Sequence, residues 1–211
     1  MRTNVLKREI FFGTVIFTMP RPSNREKILT EGLRVVHERG FVGASVRDIA
    51  KAANVPLGSF TNHFPSKEAF GLEVLERYYE QDYEAVARTL HDQSLSVRAR
   101  FEAYFDGLIS HLSCNEMRGG CLVGNFCAEV ADQSEVLRQR LGKIFKGIRD
   151  DIAGVLEEGV ASGELRADLN CVEAAGFIYS SLQGAILISK VLRLSTPLEN
   201  CRNQIMRNIL N

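Results

Sequence analysis

The segment from Ser45 to Lys67 limits what this chain can fold into more than any other, because it has the pattern of two short helices joined by a tight turn. Ser45 can cap a helix whose third residue is Asp48. Apolar residues then follow at the i, i+3, i+4, i+7 spacing of one buried stripe: Val46, Ile49, Ala50 and Ala53. The pattern predicts a short amphipathic helix that packs against its neighbours.

A second short helix is predicted after Asn54, which suits the turn between the two. Pro56 fits the first turn of this helix because its missing N–H is not needed there, and Gly58 is expected to let the helix approach its neighbour closely. The predicted core side is Val55, Phe60 and Phe64, and the predicted outer side is Leu57, Ser59, Thr61, Asn62 and His63. A short helix with mostly small and polar outer groups fits the major groove of DNA, where bulky side chains would keep it from the base edges.

The formal charge of the chain is zero, but it is unevenly distributed. Residues 19–67 carry eight basic and four acidic side chains, whereas residues 68–211 carry 15 basic and 21 acidic ones. A cation-rich end predicts strongly salt-dependent DNA binding through that end alone. The alternative, an ordinary three-helix subdomain of an unrelated helical protein, leaves this asymmetry unexplained.

Three stretches of this region resemble the DNA-binding domain of the tetracycline-repressor (TetR/AcrR) family of bacterial transcription regulators. They are residues 25–41, residues 45–54, and residues 58–64 followed by residues 66–70. The resemblance implies a regulator that binds double-stranded operator DNA. The contacts to DNA are expected from Ser45, Arg47, Pro56, Leu57, Ser59, Thr61, Asn62, His63 and Lys67.

The chain departs from the family pattern at Thr61, where the family usually has a tyrosine that contacts a DNA phosphate. The contact at Thr61 is therefore expected to be weaker or differently directed. Phosphate contacts position a protein on DNA, so anchoring is expected to depend more on Ser45, His63 and Lys67.

Beyond Ser66 the apolar spacing is helical almost to the end, and no strand pattern occurs. The predicted fold is all-α, with an N-terminal three-helix DNA-binding domain at 19–66 and a helical effector-binding and dimerisation domain at 67–211. The helices predicted in the second domain are 66–91, 95–112, 121–131, 134–161, 171–194 and a terminal helix from Pro197.

Residues 1–18 precede a typical family start near Met19 and are predicted to be a poorly packed arm or an overextended start. Their apolar run, 10–17, is far shorter than the ~20 residues of a membrane-spanning helix, and no signal-peptide cleavage site follows it. No membrane association is predicted, and the expected location is the cytoplasm.

The predicted helix 171–194 is rich in small and aliphatic residues over most of its circumference, and such a helix needs a partner. Paired with helix 134–161, it would form half of a four-helix bundle with an identical subunit, as the family resemblance also implies. A buried central helix in a monomer is the alternative. A homodimer would place two recognition helices about 34–36 Å apart, or a multiple, on a palindromic operator.

The five cysteines are Cys114, Cys121, Cys127, Cys171 and Cys201, and their spacings fit no zinc site. An odd number without a secretion signal predicts reduced thiols, and neither a metal nor a cofactor is predicted. Cys121 follows two glycines at a predicted helix N-terminus, where the helix dipole lowers the pKa of a thiol and favours a reactive thiolate. Cys127 lies on another face, which disfavours a disulfide with Cys121. The alternative for both is a small core hydrophobe.

The stretch 120–132 resembles a branch of the family that includes the N-ethylmaleimide-responsive and acrylate-responsive repressors. In that branch a Gly-Cys-Leu element precedes an Ala-Glu-Val-(Ala/Cys)-Asp element. The cysteine that senses electrophiles in the first of these repressors corresponds to Cys121. The resemblance therefore implies release from DNA by electrophile or oxidant modification of Cys121.

A noncovalent effector pocket among the later helices is a second predicted switch, which does not exclude the first. Its predicted lining is Phe101, Tyr104, Phe105, Leu108, Phe126, Phe177, Tyr179 and Gln183. The alternative is that these aromatic residues simply pack in the core.

Catalysis is not predicted, because the four histidines are scattered and no HExxH, GxSxG or Gly-rich phosphate loop occurs. A helical thiol enzyme that resembles a glutathione transferase and uses Cys121 is the alternative function. A pure interaction module is a third class, and it would leave the charge asymmetry and the polar recognition helix unexplained.

Overall fold

The computed structural model describes residues 23–211, apart from the side chains of residues 82 and 85. The arm predicted at 1–18 lies outside the described residues. All regular structure in the described part is helical, as predicted. Its helices are α1 (Asn24–Arg39), α2 (Val46–Ala52), α3 (Leu57–His63), α4 (Lys67–Leu90), α5 (Val97–Cys114), α6 (Leu122–Val130), α7 (Glu135–Ser162), α8 (Cys171–Leu192) and α9 (Thr196–Asn208).

Serine hydroxyls cap the start of five of these helices. At Ser45, Ser66 and Ser134 the hydroxyl accepts a hydrogen bond from the backbone N–H three residues later, as it does at Ser23 and Ser96. Each cap satisfies an N–H that has no partner within the helix and contributes about 1 kcal/mol. The caps predicted at Ser45, Ser66 and Ser134 are confirmed.

Two apolar cores hold the helices together. The first joins α1, α2, α3 and the start of α4 to α6 and the first half of α7, around the buried rings of Phe60, Phe64 and Phe70. The second joins the end of α4 and α5 to the rest of α7, α8 and α9, around Phe101 and Phe105. The predicted domain limits, 19–66 and 67–211, stay a prediction, and the first core extends across them. We call residues 23–66, which contain α1 to α3, the head.

Helix α4 passes through both cores, and charged side chains tie it to its neighbours. Arg77 of α4 donates to Glu26 of α1 at 2.6 Å. The adjacent Glu76 accepts hydrogen bonds from Arg140 of α7. All four side chains are partly exposed, so each pair contributes at most about 1 kcal/mol to stability. Their main effect is to fix the position of α4 between the head and α7.

Helix α8 is buried on one side only. Its inner side packs along α7 and against α9, as predicted for the α7–α8 pair. Its outer side exposes large apolar residues: Val172, Phe177, Leu187, Ile188, Val191 and Leu192. Among the described residues, α8 is the one helix long and apolar enough to cross a membrane. The inner side of α8 belongs to the second core, as expected for a core helix. Its exposed apolar outer side is typical of an interface.

Candidate functional site

The first helix of the helix-turn-helix is fixed by its cap. The Asp48 N–H donates to Ser45 Oγ, and the Ser45 N–H donates to Asp48 Oδ2, each at 3.1 Å. The Ser45 hydroxyl also donates to Asp48 Oδ2, and this bond, together with the bond from the Ser45 N–H, holds the pKa of Asp48 below its usual value. At the other end, Asn54 has a φ of 51°, the left-handed conformation of a turn. Ser45 and Arg47 are both exposed and available to DNA.

Helix α3, the predicted recognition helix, keeps most of its predicted contact residues exposed: Pro56, Leu57, Thr61, Asn62 and His63. Ser59 is half-buried, and its hydroxyl accepts a hydrogen bond from Asn24 Nδ2 at 3.1 Å. The hydroxyl of Thr61 donates to the Gly58 carbonyl at 3.1 Å. A phosphate oxygen only accepts hydrogen bonds, so Thr61 must release this bond to donate to one.

Two details of α3 differ from the sequence prediction. Pro56 is the N-cap residue, and the helix begins at Leu57. No atom lies within 4 Å of the position that a Cβ on Gly58 would occupy, so the predicted close helix contact at Gly58 is wrong. The spacing of apolar residues identified the buried face, but Gly58 lies on the open side of the helix.

Lys67 lies where the head meets α4, and it is already engaged within the protein. Its Nζ donates to the Val42 carbonyl at 3.2 Å and lies 4.8 Å from the centre of the Phe41 ring. Burial lowers the pKa of Lys67, and the nearby carboxylate of Glu129 opposes that effect. The side chain of Lys67 is therefore held at the loop between α1 and α2 before it makes the predicted contact with a DNA phosphate.

A cavity of about 340 Å³ lies between α4, α5, α8 and the turn before α6. Its described lining combines hydrogen-bonding side chains with apolar ones: Tyr78, Gln81, Thr89, Tyr104, His111, Cys121, Tyr179 and Gln183, and Val86, Leu108, Leu112, Leu182 and Ile186. This size is at the lower end of the roughly 300–1,000 Å³ of small-molecule sites, which typically have apolar walls and a few polar groups.

The cavity includes four of the predicted pocket residues: Tyr104, Leu108, Tyr179 and Gln183. Four others do not line it. Phe101 and Phe105 fill the second core, and Phe126 packs in the first core, with its ring centre 4.9 Å from that of Phe41. Phe177 lies on the outer side of α8. Helical spacing identifies a buried side, but the position of a void depends on how several helices meet.

Cys121 lies in the wall of this cavity and is the N-cap residue of α6, so its predicted place at a helix N-terminus is confirmed. The preceding Gly119 and Gly120 have φ values of 77° and 69°, which other residues rarely adopt. Nε2 of Gln183 lies 3.4 Å from Cys121 Sγ and 2.9 Å from the Tyr179 hydroxyl oxygen. Cys121 is half-buried.

The other cysteines have different surroundings. Burial raises the pKa of Cys171 at the start of α8 and of Cys201 on α9. Burial, and secondarily the nearby Cys121, raises the pKa of Cys127 to about 11. None of the five cysteines, all of which lie in the described part of the chain, forms a disulfide bond. No group of three His, Cys, Asp or Glu side chains in the described part of the chain is placed to hold a metal ion.

The raised pKa of Cys127 predicts that this thiol reacts slowly in the folded protein. The thiolate is the reactive form, and near neutral pH its fraction at Cys127 is roughly a hundredfold below that of an ordinary thiol. The rate of N-ethylmaleimide addition at Cys127 is expected to rise about tenfold per pH unit up to about pH 11. Peptide mass spectrometry on folded and urea-unfolded protein measures this rate, and equal rates in the two states would contradict the prediction.

Sequence reasoning missed three residues that hold the turn before α6. Nδ2 of Asn125 donates to the Gly119 carbonyl at 2.9 Å, and Nζ of Lys190 lies 3.4 Å from Asn125 Oδ1. Nε2 of His37 lies 2.9 Å from the Gly120 carbonyl oxygen. The three side chains come from α6, α8 and α1. No local pattern marks them, because only the packing of these helices brings them to one turn.

Two protein-family models match this chain in succession. Residues 28–74 match the model of bacterial regulatory proteins of the tetR family, and residues 98–205 match the model of the tetracyclin repressor-like C-terminal domain. The chain belongs to the tetracycline-repressor family. Regulators of this family are soluble proteins that bind operator DNA as dimers and respond to small-molecule effectors. The chain is therefore a DNA-binding transcription regulator and not an enzyme, which removes the thiol-enzyme alternative.

Individual relatives extend this similarity over most of the chain. The transcriptional repressor DhaR of Mycobacterium sp. (strain GP1) is 37% identical over 192 residues, which cover 91% of this chain and 95% of DhaR. The repressor NemR of Escherichia coli is 32% identical and covers 88% of this chain and 93% of its own. The crystal structure of reduced E. coli NemR has a TM-score of 0.81 over 88% of this chain and 96% of that one. The similarity includes the head and the helices around the cavity.

Proposed function

We propose that this chain is a cytoplasmic, homodimeric repressor that binds a palindromic operator and leaves it when a small molecule fills the cavity or when an electrophile or oxidant modifies Cys121. The observation that carries the proposal is the place of Cys121, in the cavity wall and at the start of α6. Helix α6 shares the first core with the head, so a change at Cys121 acts on a helix that touches the DNA-binding part. The similarity to NemR, whose reduced form has the same fold, supports a role for thiol chemistry.

The outer side of α8 supports the dimeric part of the proposal. Phe177, Leu187, Ile188 and Val191 are more than half exposed in the single chain. A two-fold axis would pair this side with itself in a second copy and remove these residues from water. The two recognition helices of such a dimer would read the two halves of a palindrome.

The DNA contacts of the proposal are the residues that the sequence predicted: Ser45, Arg47, Pro56, Leu57, Ser59, Thr61, Asn62, His63 and Lys67. All lie in α2, in α3 or at the adjoining helix starts, and most are exposed. The proposed domain roles are DNA binding by 19–66 and effector binding and dimerisation by 67–211.

A ligand in the cavity and an adduct on Cys121 would act on the same equilibrium. Either one would occupy the space between α4, α5, α8 and the start of α6. An effector weakens DNA binding only if it prefers the conformation in which the two heads are wrongly spaced. Both routes therefore require that filling the cavity is incompatible with the DNA-bound spacing.

The proposal is tested by binding to DNA from upstream of the protein's own gene, measured by fluorescence anisotropy. Quinones, unsaturated aldehydes, hypochlorite and acrylate-like acids are added in turn to the complex. The expected result is specific binding that one or more of these compounds releases. Binding no tighter than to unrelated DNA would overturn the repressor proposal.

The charge of the head predicts which side chains set the salt dependence of binding. Arg47 is exposed on α2, so Arg47→Gln is expected to remove one phosphate contact and reduce the slope of log affinity against log salt by about 1. Arg34 is a matched control, because it is paired with Glu31 and Glu38 on α1. Arg34→Gln should leave the slope within error of the wild type, and an equal loss in both variants would contradict the assignment of Arg47.

A further inference from the structure

The loop between α1 and α2 is held by side chains from outside the head. Gly40 to Ser45 form this loop, which ends at the N-cap of the first helix of the helix-turn-helix. The Val42 N–H donates to Oε2 of Glu129 at 2.7 Å, and the Val42 carbonyl accepts from Lys67 Nζ at 3.2 Å. Both backbone groups of one loop residue are thus bound by charged side chains, one from α6 and one from α4.

Glu129 packs directly on the loop backbone. A Cβ on Gly40 would lie 2.6 Å from Oε1 of Glu129, so only glycine leaves space for the carboxylate there. Gly40 also has a φ of 79°, which favours glycine independently. One turn earlier on α6, Phe126 packs on Phe41 of the same loop. The loop therefore has polar and apolar contacts with α6 at neighbouring positions.

The opposite end of α6 contacts the head at a second point. A carbonyl oxygen only accepts hydrogen bonds, so the 2.9 Å contact with Gly120 O places the proton of the neutral His37 ring on Nε2. His37 lies in the last turn of α1, and its ring packs edge-on against Tyr78 of α4. The segment from Gly120 to Glu129 thus touches the end of α1 at one end and the α1–α2 loop at the other.

We infer that Glu129 is a positioning residue for the head, and that α6 carries the signal from the cavity to DNA through the Glu129 contact with the α1–α2 loop. This inference rests on the proposed function of the cavity and of Cys121. Helix α6 is one rigid helix of nine residues, so a displacement of its N-cap by a ligand or adduct also moves Glu129. Loss of the bond to Val42 removes the polar contact of α6 with the loop that leads into α2 and loosens that loop.

The first test measures hydrogen exchange without DNA. Glu129→Gln keeps the shape of the side chain and removes its charge, and hydrogen bonds to charged groups are the stronger ones. The exchange rate of the Val42 amide is expected to rise at least about tenfold in this variant. Addition of N-ethylmaleimide to the wild type, confirmed at Cys121 by mass spectrometry, should raise the same rate. Unchanged exchange at residues 40–45 in both cases would overturn the inference.

The second test measures the response of DNA binding. In the wild type, N-ethylmaleimide is expected to weaken binding at least about tenfold, which corresponds to a coupling of ~1.4 kcal/mol. Glu129→Gln should bind like the modified wild type and lose less than twofold more on modification, because the contact is already broken. Retention of the full response by Glu129→Gln, with an unchanged rate of Cys121 modification, would overturn the inference.

Glu135→Gln is the matched control for both tests. Glu135 is an exposed glutamate at the start of α7 that pairs with Arg138 of the same helix. Its variant should keep wild-type exchange at residues 40–45 and the full response to N-ethylmaleimide. If the protein does not bind DNA at all, the proposed function fails, and if Cys121 is not modified, the covalent route of the proposed function fails. The exchange rate of Val42 in Glu129→Gln still decides whether Glu129 holds the loop.

Discussion

Val191→Glu on the outer side of α8 is expected to convert the protein from a dimer to a monomer. Val191 is 74% exposed in the single chain, and its neighbours Leu187 and Ile188 expose 61% and 51% of their surface. Because a two-fold axis would relate the two subunits, the substitution occurs twice in the interface and places two carboxylates among apolar groups. An unpaired buried charge costs about 3–5 kcal/mol, which raises the dissociation constant of the dimer at least about a hundredfold.

The loss of the dimer removes most of the operator affinity as well. Two linked heads bind the two half-sites with a high effective concentration, and a monomer loses this advantage, typically a factor of about 10² to 10⁴. Light scattering at micromolar protein gives the mass, and anisotropy with operator DNA gives the affinity. The unfolding temperature should stay near that of the wild-type subunit, because the side chain of Val191 is exposed in the single chain.

Leu95→Glu is the matched control, since it introduces the same charge at an exposed apolar residue away from α8. Leu95 lies in the loop between α4 and α5 and is 38% exposed. This variant should remain dimeric and bind DNA like the wild type. A Val191→Glu protein that is still a dimer, and still binds the operator, would place the interface elsewhere.

Cys121→Ser is expected to bind the operator as tightly as the wild type and to lose its release by N-ethylmaleimide. The side chain of Cys121 makes no capping hydrogen bond, and serine is of similar size and favoured at an N-cap, so α6 should remain in place. Its hydroxyl is not nucleophilic near neutral pH, whereas a cysteine thiolate adds to the maleimide double bond. Treatment is expected to lower the operator affinity of the wild type by at least about tenfold and that of the variant by less than about twofold.

Cys127→Ser separates this effect from general thiol damage. Cys127 lies on the same helix, but its pKa of about 11 keeps it protonated near neutral pH. Its variant should respond to N-ethylmaleimide like the wild type. If Cys121→Ser is still released by N-ethylmaleimide, the covalent route does not run through Cys121. Release of this variant by noncovalent ligands alone would leave the cavity as the single switch.

Local features of the fold followed from the sequence because they depend on residues close in the chain. Each predicted serine cap bonds to a backbone N–H three residues away, and the predicted turn at Asn54 suits its short polar side chain, which tolerates the φ of 51° found there. The place of Cys121 at a helix N-terminus is also local, since two glycines precede it. These predictions required no knowledge of how the helices pack.

Features that involve several helices were predicted less well. Tyr104 and Phe105 are adjacent in α5, yet Tyr104 lines the cavity and Phe105 is buried in the second core. The 3.6-residue period of a helix places both near its buried side and does not tell which one borders a void. Gly58 was expected at a helix contact and lies on an open surface for the same reason.

The sequence by itself determined the order and type of the helices, the helix-turn-helix of a tetracycline-repressor-family protein, and a cysteine at the start of one helix. These features are encoded by capping residues and apolar spacing within single helices. Only the tertiary structure decided that α6 borders the cavity at Cys121 and holds the α1–α2 loop at Glu129. Glu129 and Val42 are 87 positions apart in the chain, and their contact depends on how α6 packs against the head. Spacing within one helix carries no information about that packing.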